Sequence, residues 1–221
     1  MPPKPKCTRE EVAAAALVII KEKGLEGLTA RELGRRLGTS ASPVFTSFQN
    51  MDEVKMAARE LAIEEFKDYI SDYREYTPAF KRIGMMIVSY GIHQPELFRL
   101  LFMQSHEAGI DMHNILQDLG DTADTCIGLL MEDYGMTGEE ATLIFEQMWI
   151  NAFGIGVMCA NRVCDFSEEE IGRRLSITFA GLCMFVKSGK TNEIYSTAEK
   201  RTDGIFKGRK VGELPYFKTG K

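Results

Sequence analysis

The sequence lacks the short motifs that mark most enzymes and metal sites. It contains no glycine-rich phosphate loop, no nucleophile elbow, no metalloprotease helix and no closely paired cysteines. Two of its three histidines, His106 and His113, are seven residues apart with Gly109 between them, a spacing that disfavours a shared metal ion. We therefore expect a protein that is not an enzyme and that holds no cofactor and no metal.

Cysteine is scarce and its spacing suggests no pairing. The five cysteines are odd in number and scattered, which fits a reduced cytoplasm better than a disulfide framework. Residues 1–7 contain no apolar run of the kind that a signal peptide has. These features predict a cytoplasmic protein.

Long uninterrupted apolar runs are also missing. The most apolar stretch, residues 143–160, contains Glu146, Gln147 and Asn151. A charge near the middle of a bilayer costs about 2.5 to 3.5 kcal/mol on insertion scales. We therefore expect this stretch to be a buried core helix, in a protein without membrane contact.

Positive charge is in deficit overall but not in every part of the chain. The 221 residues carry a formal net charge of −5, which argues against indiscriminate binding of polyanions. Residues 1–60 have 10 basic and 8 acidic residues, residues 61–186 have 8 and 20, and residues 187–221 have 9 and 4. A nucleic acid would be drawn to one end of the chain only.

Apolar residues recur at helical spacing and nowhere alternate as in a strand, so the sequence predicts an all-α protein of about nine helices. Sequences typical of capping boxes begin several of them, at Thr29, Asn50, Thr137 and Ser167. The predicted helices cover residues 8–24, 29–37, 40–48, 50–73, 78–93, 95–103, 111–134, 138–161 and 168–187. We divide the chain into a first domain at 6–66, a second at 67–188 and a loosely ordered basic tail at 189–221.

The segment 29–48 combines two short helices around a tight turn. Thr29 stands where an N-cap belongs, Gly38 supplies the left-handed residue that ends the first helix, and Ser40 can cap the second. Pro43 falls in the first turn of the second helix, where its missing amide hydrogen breaks no bond. This pattern predicts a helix-turn-helix, a motif that binds DNA.

The second helix of the motif has one apolar and one outward face. Val44 and Phe48 are four residues apart and can pack on Leu33 and Leu37, which leaves the ring of Phe45 in solvent. The outward face of such a helix meets the major groove, and the start of the first helix meets a phosphate. The expected DNA contacts are Thr29, Ser40, Ala41, Ser42, Pro43, Phe45, Thr46 and Ser47.

From Thr8 to Ala58 the sequence resembles the N-terminal domain of the tetracycline-repressor (TetR) family of bacterial transcriptional regulators. The likeness rests on the first helix, the segment Gly-Leu-Glu-Gly-Leu-Thr, the helix-turn-helix, and Phe-Gln-Asn-Met-Asp-Glu-Val opening the next helix. Phe45, Ser47 and Met51 stand where the family usually has Tyr, His and Lys. The resemblance implies a homodimer that binds a double-stranded DNA operator and, in a helical sensor domain, a small-molecule effector.

The last two predicted helices carry more apolar surface than one subunit needs. Residues 143–160 are apolar on nearly all sides, and residues 171–185 repeat apolar side chains at helical spacing. Together with the resemblance, this predicts a four-helix bundle between two copies, whereas the alternative is that both helices complete a monomer core. The expected dimer interface residues are Phe153, Val157, Leu175, Thr178, Phe179, Leu182 and Phe185.

Methionine and aromatic residues are frequent between residues 85 and 158, which is typical of adaptable apolar pockets and equally of ordinary cores. The resemblance implies that a cavity is present. Because these residues are apolar and aromatic, we expect an apolar or aromatic effector in it. Its expected contacts are Met86, Phe102, Met103, Met131, Phe145, Glu146, Trp149, Asn151 and Phe153. Glu146 leaves two alternatives open: an unpaired buried carboxylate favours a cationic ligand, whereas a carboxylate paired with Arg82, Arg99 or another cation is structural.

The sequence thus predicts a ligand-responsive transcriptional regulator, most simply a repressor that leaves its operator when an apolar small molecule binds. The alternative is an all-α scaffold or interaction protein that keeps a helix-turn-helix for packing and does not bind DNA. Phe45, Ser47 and Met51 are the residues that favour this alternative.

Overall fold

The computed structural model describes residues 7–40, 42–104 and 122–189, with the backbone alone at Ser42 and Pro43. In these ranges the chain forms eight α-helices and no strand, so the all-α prediction is confirmed. The helices are α1 (Arg9–Lys23), α2 (Ala30–Arg36), α3 (Met51–Ile70), α4 (Ala79–His93), α5 (Pro95–Phe102), α6 (Thr122–Tyr134), α7 (Gly138–Ala160) and α8 (Glu168–Lys187). Short 3₁₀ segments cover Leu25–Gly27, Ser42–Thr46 and Ser71–Glu75.

Side-chain caps begin most helices where the sequence predicts them. At Thr137 and Ser167, as predicted, the hydroxyl accepts a bond from the amide three residues later, and the glutamate there accepts one from the cap residue. Thr8 forms the same box, although it is not among the predicted capping boxes. At Thr29 only the hydroxyl half of the predicted box forms, because two cations hold the carboxylate of Glu32 instead. A helix start is thus encoded locally, whereas the orientation of the glutamate depends on neighbours distant in sequence.

The N-terminal helices pack their apolar faces against one another. α1 packs on α3, α2 and α5 and buries Val12, Ala16 and Ile19 among others. Full burial of an aliphatic side chain the size of Val or Ile contributes about 1.5–3 kcal/mol. α3 begins at the Asn50 cap and continues unbroken through the predicted domain boundary at residue 66. One helix therefore belongs both to the N-terminal group and to the helices that follow.

α5 connects the end of α1 to the end of α7. Arg99 of α5 hydrogen-bonds to Glu96 one turn earlier and to the carbonyl oxygen of Ala160, the last residue of α7. Glu96 also lies beside Gly24, where an added Cβ would stand 2.8 Å from its Oε2. Gly24 has a φ of +72°, a backbone conformation that favours glycine, whereas the flexible Glu96 side chain could move aside for an added Cβ.

α4 and α7 cross at a pair of glycines. A Cβ added at Gly91 would lie 2.9 Å from the carbonyl oxygen of Gly156, and a Cβ added at Gly156 would lie 2.7 Å from the ring of Phe98. The two backbones therefore approach more closely than any larger residue allows, and the Phe98 ring lies against Gly156 from the side of α5.

By length and composition alone, α7 is long and apolar enough to cross a membrane. One such helix is weak evidence that a protein spans a membrane, because core helices of other proteins pass the same test. In this structure Ile144, Met148 and Ala152 are among its buried residues, and the helix packs on α4, α5 and α6. This packing agrees with the core helix predicted for residues 143–160.

The chain divides into two units, residues 1–178 and 179–221. The first contains α1 to α7 and the beginning of α8. Of the second, residues 179–189 are described: α8 ends there, the hydroxyl of Ser188 donates to the carbonyl of Phe185 at 2.6 Å, and Gly189 has a φ of +67°. The predicted tail at 189–221 otherwise lies outside the described residues, and the predicted domain boundaries stay predictions.

We expect Gly91→Ala to lower the free energy of unfolding by about 1–3 kcal/mol, because the new methyl group meets a backbone carbonyl that cannot rotate away. Gly128→Ala is the matched control, since it also lies in a helix but an added Cβ has no neighbour within 4 Å. Alanine there should be neutral or stabilise by about 0.5–1 kcal/mol. Chemical denaturation measures both variants, and equal stability of the two would contradict the close crossing.

Candidate functional site

The second helix of the predicted helix-turn-helix is shorter than expected. Instead of an α-helix over residues 40–48, the chain forms a 3₁₀ segment at Ser42–Thr46, which is followed by a bond of 3.3 Å from the Ser47 amide to the Val44 carbonyl. α3 begins at Met51, only a few residues after this segment, which leaves the chain little room for a longer α-helix. The prediction of an α-helix is wrong here, although a turn of helix stands in the expected place.

The two faces of this segment are those the sequence predicts. Leu33 and Val44 are 0% exposed and Phe48 is 3% exposed, whereas Phe45 is 41% exposed. The preceding turn also agrees, since Gly38 has a φ of +66°. An aromatic ring therefore faces solvent beside a fully buried valine.

The residues predicted to contact DNA lie mostly on the surface. Thr29, Ser40, Phe45 and Thr46 are exposed, and Ser47 is half-buried. The hydroxyl of Thr29 is already engaged, because it accepts a hydrogen bond of 3.2 Å from the amide of Glu32. Ala41 and the side chains of Ser42 and Pro43 lie outside what the structure describes, and the DNA contacts stay predictions.

Arg9 holds the end of the motif in place. Its Nη1 donates to the carbonyl oxygen of Ser47 at 2.9 Å and lies 3.9 Å from a carboxylate oxygen of Glu53. Its guanidinium also stacks 4.2 Å from the ring centre of Phe48. No local sequence pattern predicts this role, because Arg9 and Ser47 are 38 positions apart.

Most cations of the N-terminal helices are matched by carboxylates. Glu32 pairs with both Lys23 and Arg35, at 2.8 and 2.6 Å, and similar pairs join Lys21 to Glu65, Arg36 to Glu22 and Lys55 to Asp52. Arg31 differs: it is exposed, lies in the first turn of α2 and makes no hydrogen bond or ion pair with a described residue. Its positive charge is the one in α2 that no described carboxylate neutralises.

Four of the predicted effector contacts meet in one aromatic cluster. The ring of Phe102 lies 5.8 Å from Trp149, which lies 6.2 Å from Phe145, and Phe153 stacks on Phe98 at 5.9 Å. Phe66 of α3 joins the cluster through Phe102 at 5.3 Å. These rings pack on one another, so the cluster is at least part of the core.

Four buried side-chain polar atoms have no hydrogen-bond partner among the described residues: Oδ1 of Asp72, Nε of Arg82, the hydroxyl of Tyr90 and Oδ1 of Asn151. Asn151 is a predicted effector contact. Burial raises the pKa of the Tyr90 hydroxyl well above its usual range, so the group stays protonated and able to donate.

The remaining predicted effector contacts are separate from that cluster or more exposed. Met103 and Met131 are 37% and 43% exposed. Glu146 is half-buried and forms no ion pair with a described residue. Arg82 and Arg99, its two named candidate partners, pair with Asp72 and Glu96 instead, so neither predicted pair forms.

Three cavities are bounded by described residues. One of about 1010 Å³ is open between the start of α4 and the first turns of α8, one of about 460 Å³ lies between Arg74 and Tyr134, and one of about 470 Å³ lies between α3, α4 and the start of α8. Among the predicted effector contacts, Met86 lines the cavity of about 470 Å³. Among the described residues no three His, Cys, Asp or Glu side chains are placed to hold a metal ion.

The residues predicted at the dimer interface fall on α7 and α8. Leu175 is 2% exposed within this single chain. Phe153, Val157 and Thr178 are half-buried, and so are Phe179, Leu182 and Phe185. Apolar side chains nearby are far more exposed, at 52% for Ile150 and 65% for Ile177. The interface itself stays a prediction.

Comparison with models of protein families gave no match, and comparison with curated proteins gave none either. A protein of unknown function from Rhodococcus sp. RHA1 has a similar structure, with a TM-score of 0.64 and 18% sequence identity over 78% of this chain and 94% of that one. A transcriptional regulator from Rhodococcus sp. Rha1 superposes with a TM-score of 0.51 at 17% identity, over 80% of this chain and 96% of that one. At these identities the likeness concerns the fold.

Hydrogen bonds from Arg35 and then Lys23 lower the pKa of Glu32 from 4.5 to about 2. Because the folded value lies below the unfolded one, the two ion pairs stabilise the fold fully above pH 4.5, and their contribution is lost as the pH falls towards 2. We expect Glu32→Gln to be less stable than the wild type at pH 6 and equally stable near pH 2, measured by thermal denaturation. A Glu32 carboxyl NMR signal that titrates near 4.5 would contradict these pairs.

Proposed function

We propose that this protein is a DNA-binding transcriptional regulator that responds to a small molecule. The observation that carries the proposal is the surface between α2 and α3, where Phe45 is 41% exposed next to fully buried Val44 and Leu33. This exposed ring, on a turn anchored in the core by Val44, presents apolar surface to other molecules. Base edges in the major groove, such as a thymine methyl group, can pack against such a surface.

The charges near this surface support the same function. Arg31 is exposed and unpaired in the first turn of α2, where a cation can meet a DNA phosphate. Arg9 fixes the Ser47 carbonyl and the Phe48 ring, which keeps the turn rigid before DNA arrives. The fold is also that of a Rhodococcus transcriptional regulator, which supports regulation in general.

The full proposal is a cytoplasmic, homodimeric repressor of the TetR type. Two copies are needed because a single short helix offers few contacts, and specific sites of this class consist of two half-sites about one helical turn apart. Ile150 and Ile177 expose apolar surface on α7 and α8, the helices we propose to form the interface. An apolar effector would favour a dimer in which the two DNA-contacting turns no longer match adjacent major grooves.

A scaffold that does not bind DNA is the second candidate. It is favoured by the many carboxylates that neutralise cations around the motif, such as Glu22, Glu32 and Asp52. Met51 also lies at the start of α3, where a cation would help to hold a phosphate. A mobility shift with the DNA upstream of its own gene distinguishes the two functions, since the scaffold would leave that DNA unshifted.

We expect Phe45→Glu to weaken operator binding by about tenfold or more, because a carboxylate replaces an apolar contact and faces the phosphates. Val163→Glu is the matched control: Val163 is 69% exposed but lies in the connection between α7 and α8. Both changes place an acid at an exposed apolar position, so both variants should fold. Equal affinities in the two variants would remove Phe45 from the interface.

We expect the double substitution Phe179→Glu with Leu182→Lys to give monomers and to abolish operator binding at the same concentration, because one subunit cannot hold both half-sites. Sedimentation measures the mass, and circular dichroism checks that the helices remain. Lys187→Glu, an exposed change on the same helix, is the control that should stay dimeric. A wild-type chain that sediments as a monomer at micromolar concentration refutes the dimer.

A further inference from the structure

The first turns of α8 cross α4 and leave a cavity on one side. Leu175 lies 3.5 Å from the position of a Cβ added at Gly84, and Met85 lies 3.6 Å from that of Gly172, so the two helices are in van der Waals contact at the crossing. Beside this crossing is the cavity of about 470 Å³. Its volume lies within the range of small-molecule pockets and suits a compound of one or two rings.

One wall of this cavity is a chain of hydrogen bonds. The hydroxyl of Tyr69 on α3 lies 2.8 Å from Oγ of Ser89 on α4, which lies 3.1 Å from Nδ1 of His93. Nδ1 also lies 2.9 Å from the carbonyl oxygen of Ser89. A carbonyl only accepts, so the neutral ring that fits this contact is the tautomer with its proton on Nδ1 and a lone pair on Nε2. Nε2 has no partner among the described residues and can accept a bond from a ligand.

The other wall is apolar and adaptable. Met85 and Met86 line it from α4, and Ile171 lines it from α8. Phe166 stands at its edge, held by the guanidinium of Arg174 at 4.6 Å from the ring centre. Methionine side chains adjust their shape and make favourable contacts with aromatic rings. Met85 also lines the larger cavity of about 1010 Å³, so its rotation can enlarge the space.

The charges around the cavity favour a neutral ligand. Arg82 is matched by Asp72 at 3.0 Å and stacks 3.9 Å from the ring centre of Tyr76. Glu168 on α8 is exposed and also lines the cavity. An anion would meet Glu168 and a cation would meet Arg82, so neither sign gains a clear advantage over a neutral molecule.

We propose that this cavity binds a neutral aromatic compound with a hydroxyl group, of the phenol class, whose hydroxyl donates to Nε2 of His93. This rests on the proposed function in that such a compound would be the effector of the regulator. The ring lies between the two methionines and Phe166. The site differs from the aromatic cluster around Trp149, where the sequence predicts the effector.

The test compares two probes that share one apolar body, 4-ethylphenol and its methyl ether 4-ethylanisole, by calorimetry and thermal shift on the free protein. A compound that binds only the folded state raises the melting temperature. We expect the phenol to bind about fivefold more tightly than the ether, the gain of one net hydrogen bond. Benzoate and benzylamine, which carry opposite charges, should bind more weakly than the phenol.

Variants locate the binding. His93→Ala should remove the preference for the phenol, and Gln94→Ala, a change at the neighbouring exposed residue outside the lining, should keep it. Ile92→Trp, at a 39% exposed position of the lining, should weaken both probes by filling the cavity. Circular dichroism checks the fold of each variant, and NMR follows the His93 ring signal directly in the wild type.

Several results overturn the proposal: no binding of either probe, equal binding of both, a preference that survives in His93→Ala, or tighter binding of a charged probe. The mobility shift is measured separately. If the protein binds the phenol but no DNA, the proposed regulatory function is refuted and the proposed binding site is supported. If it binds DNA but no phenol, the proposed binding site alone is refuted.

Discussion

The contact between the backbones of α4 and α7 at Gly91 and Gly156 fixes most of the remaining geometry. At this crossing the tip of the Phe98 ring lies against Gly156, and its neighbour Arg99 hydrogen-bonds to the carbonyl of Ala160. Through Glu96, α5 also meets Gly24 at the end of α1. A single close approach in the core is thus linked through α5 to the end of α1 in the N-terminal group of helices.

Much of this fold could be predicted from local sequence signals. Helix starts follow from a hydroxyl and a glutamate three residues apart, as at Thr137, and helix ends follow from glycines with positive φ, such as Gly38 and Gly135. These signals act within one turn, so they need no knowledge of the tertiary structure. The α-helix expected over residues 40–48 is the exception, because its length depends on how soon α3 begins.

The candidate sites were less predictable because they depend on contacts between distant segments. Arg9 and Ser47, which form a hydrogen bond, are 38 positions apart. The carboxylate of Glu32 accepts a bond from Lys23 rather than from the backbone amide of its own cap residue. Phe102, Phe145, Trp149 and Phe153, which apolar composition predicts as effector contacts, lie in one aromatic cluster, and their contact with an effector stays a prediction. Apolar composition could not distinguish a packed cluster from a cavity, because the same side chains build both.

α3 offers a physical route between the two proposed sites. It starts just after the segment that we propose contacts DNA and carries Tyr69 eighteen residues later, about 27 Å away along a straight helix. The bond from Tyr69 to Ser89 joins its far end to α4. Losing that bond alone is worth about 1 kcal/mol, or about fivefold in affinity, which is at the low end of allosteric coupling. Stronger regulation would therefore require the ligand to displace α8 from α4 as well. At the crossing of these helices, Leu175 and Met85 make van der Waals contacts. Such contacts can shift without breaking a hydrogen bond.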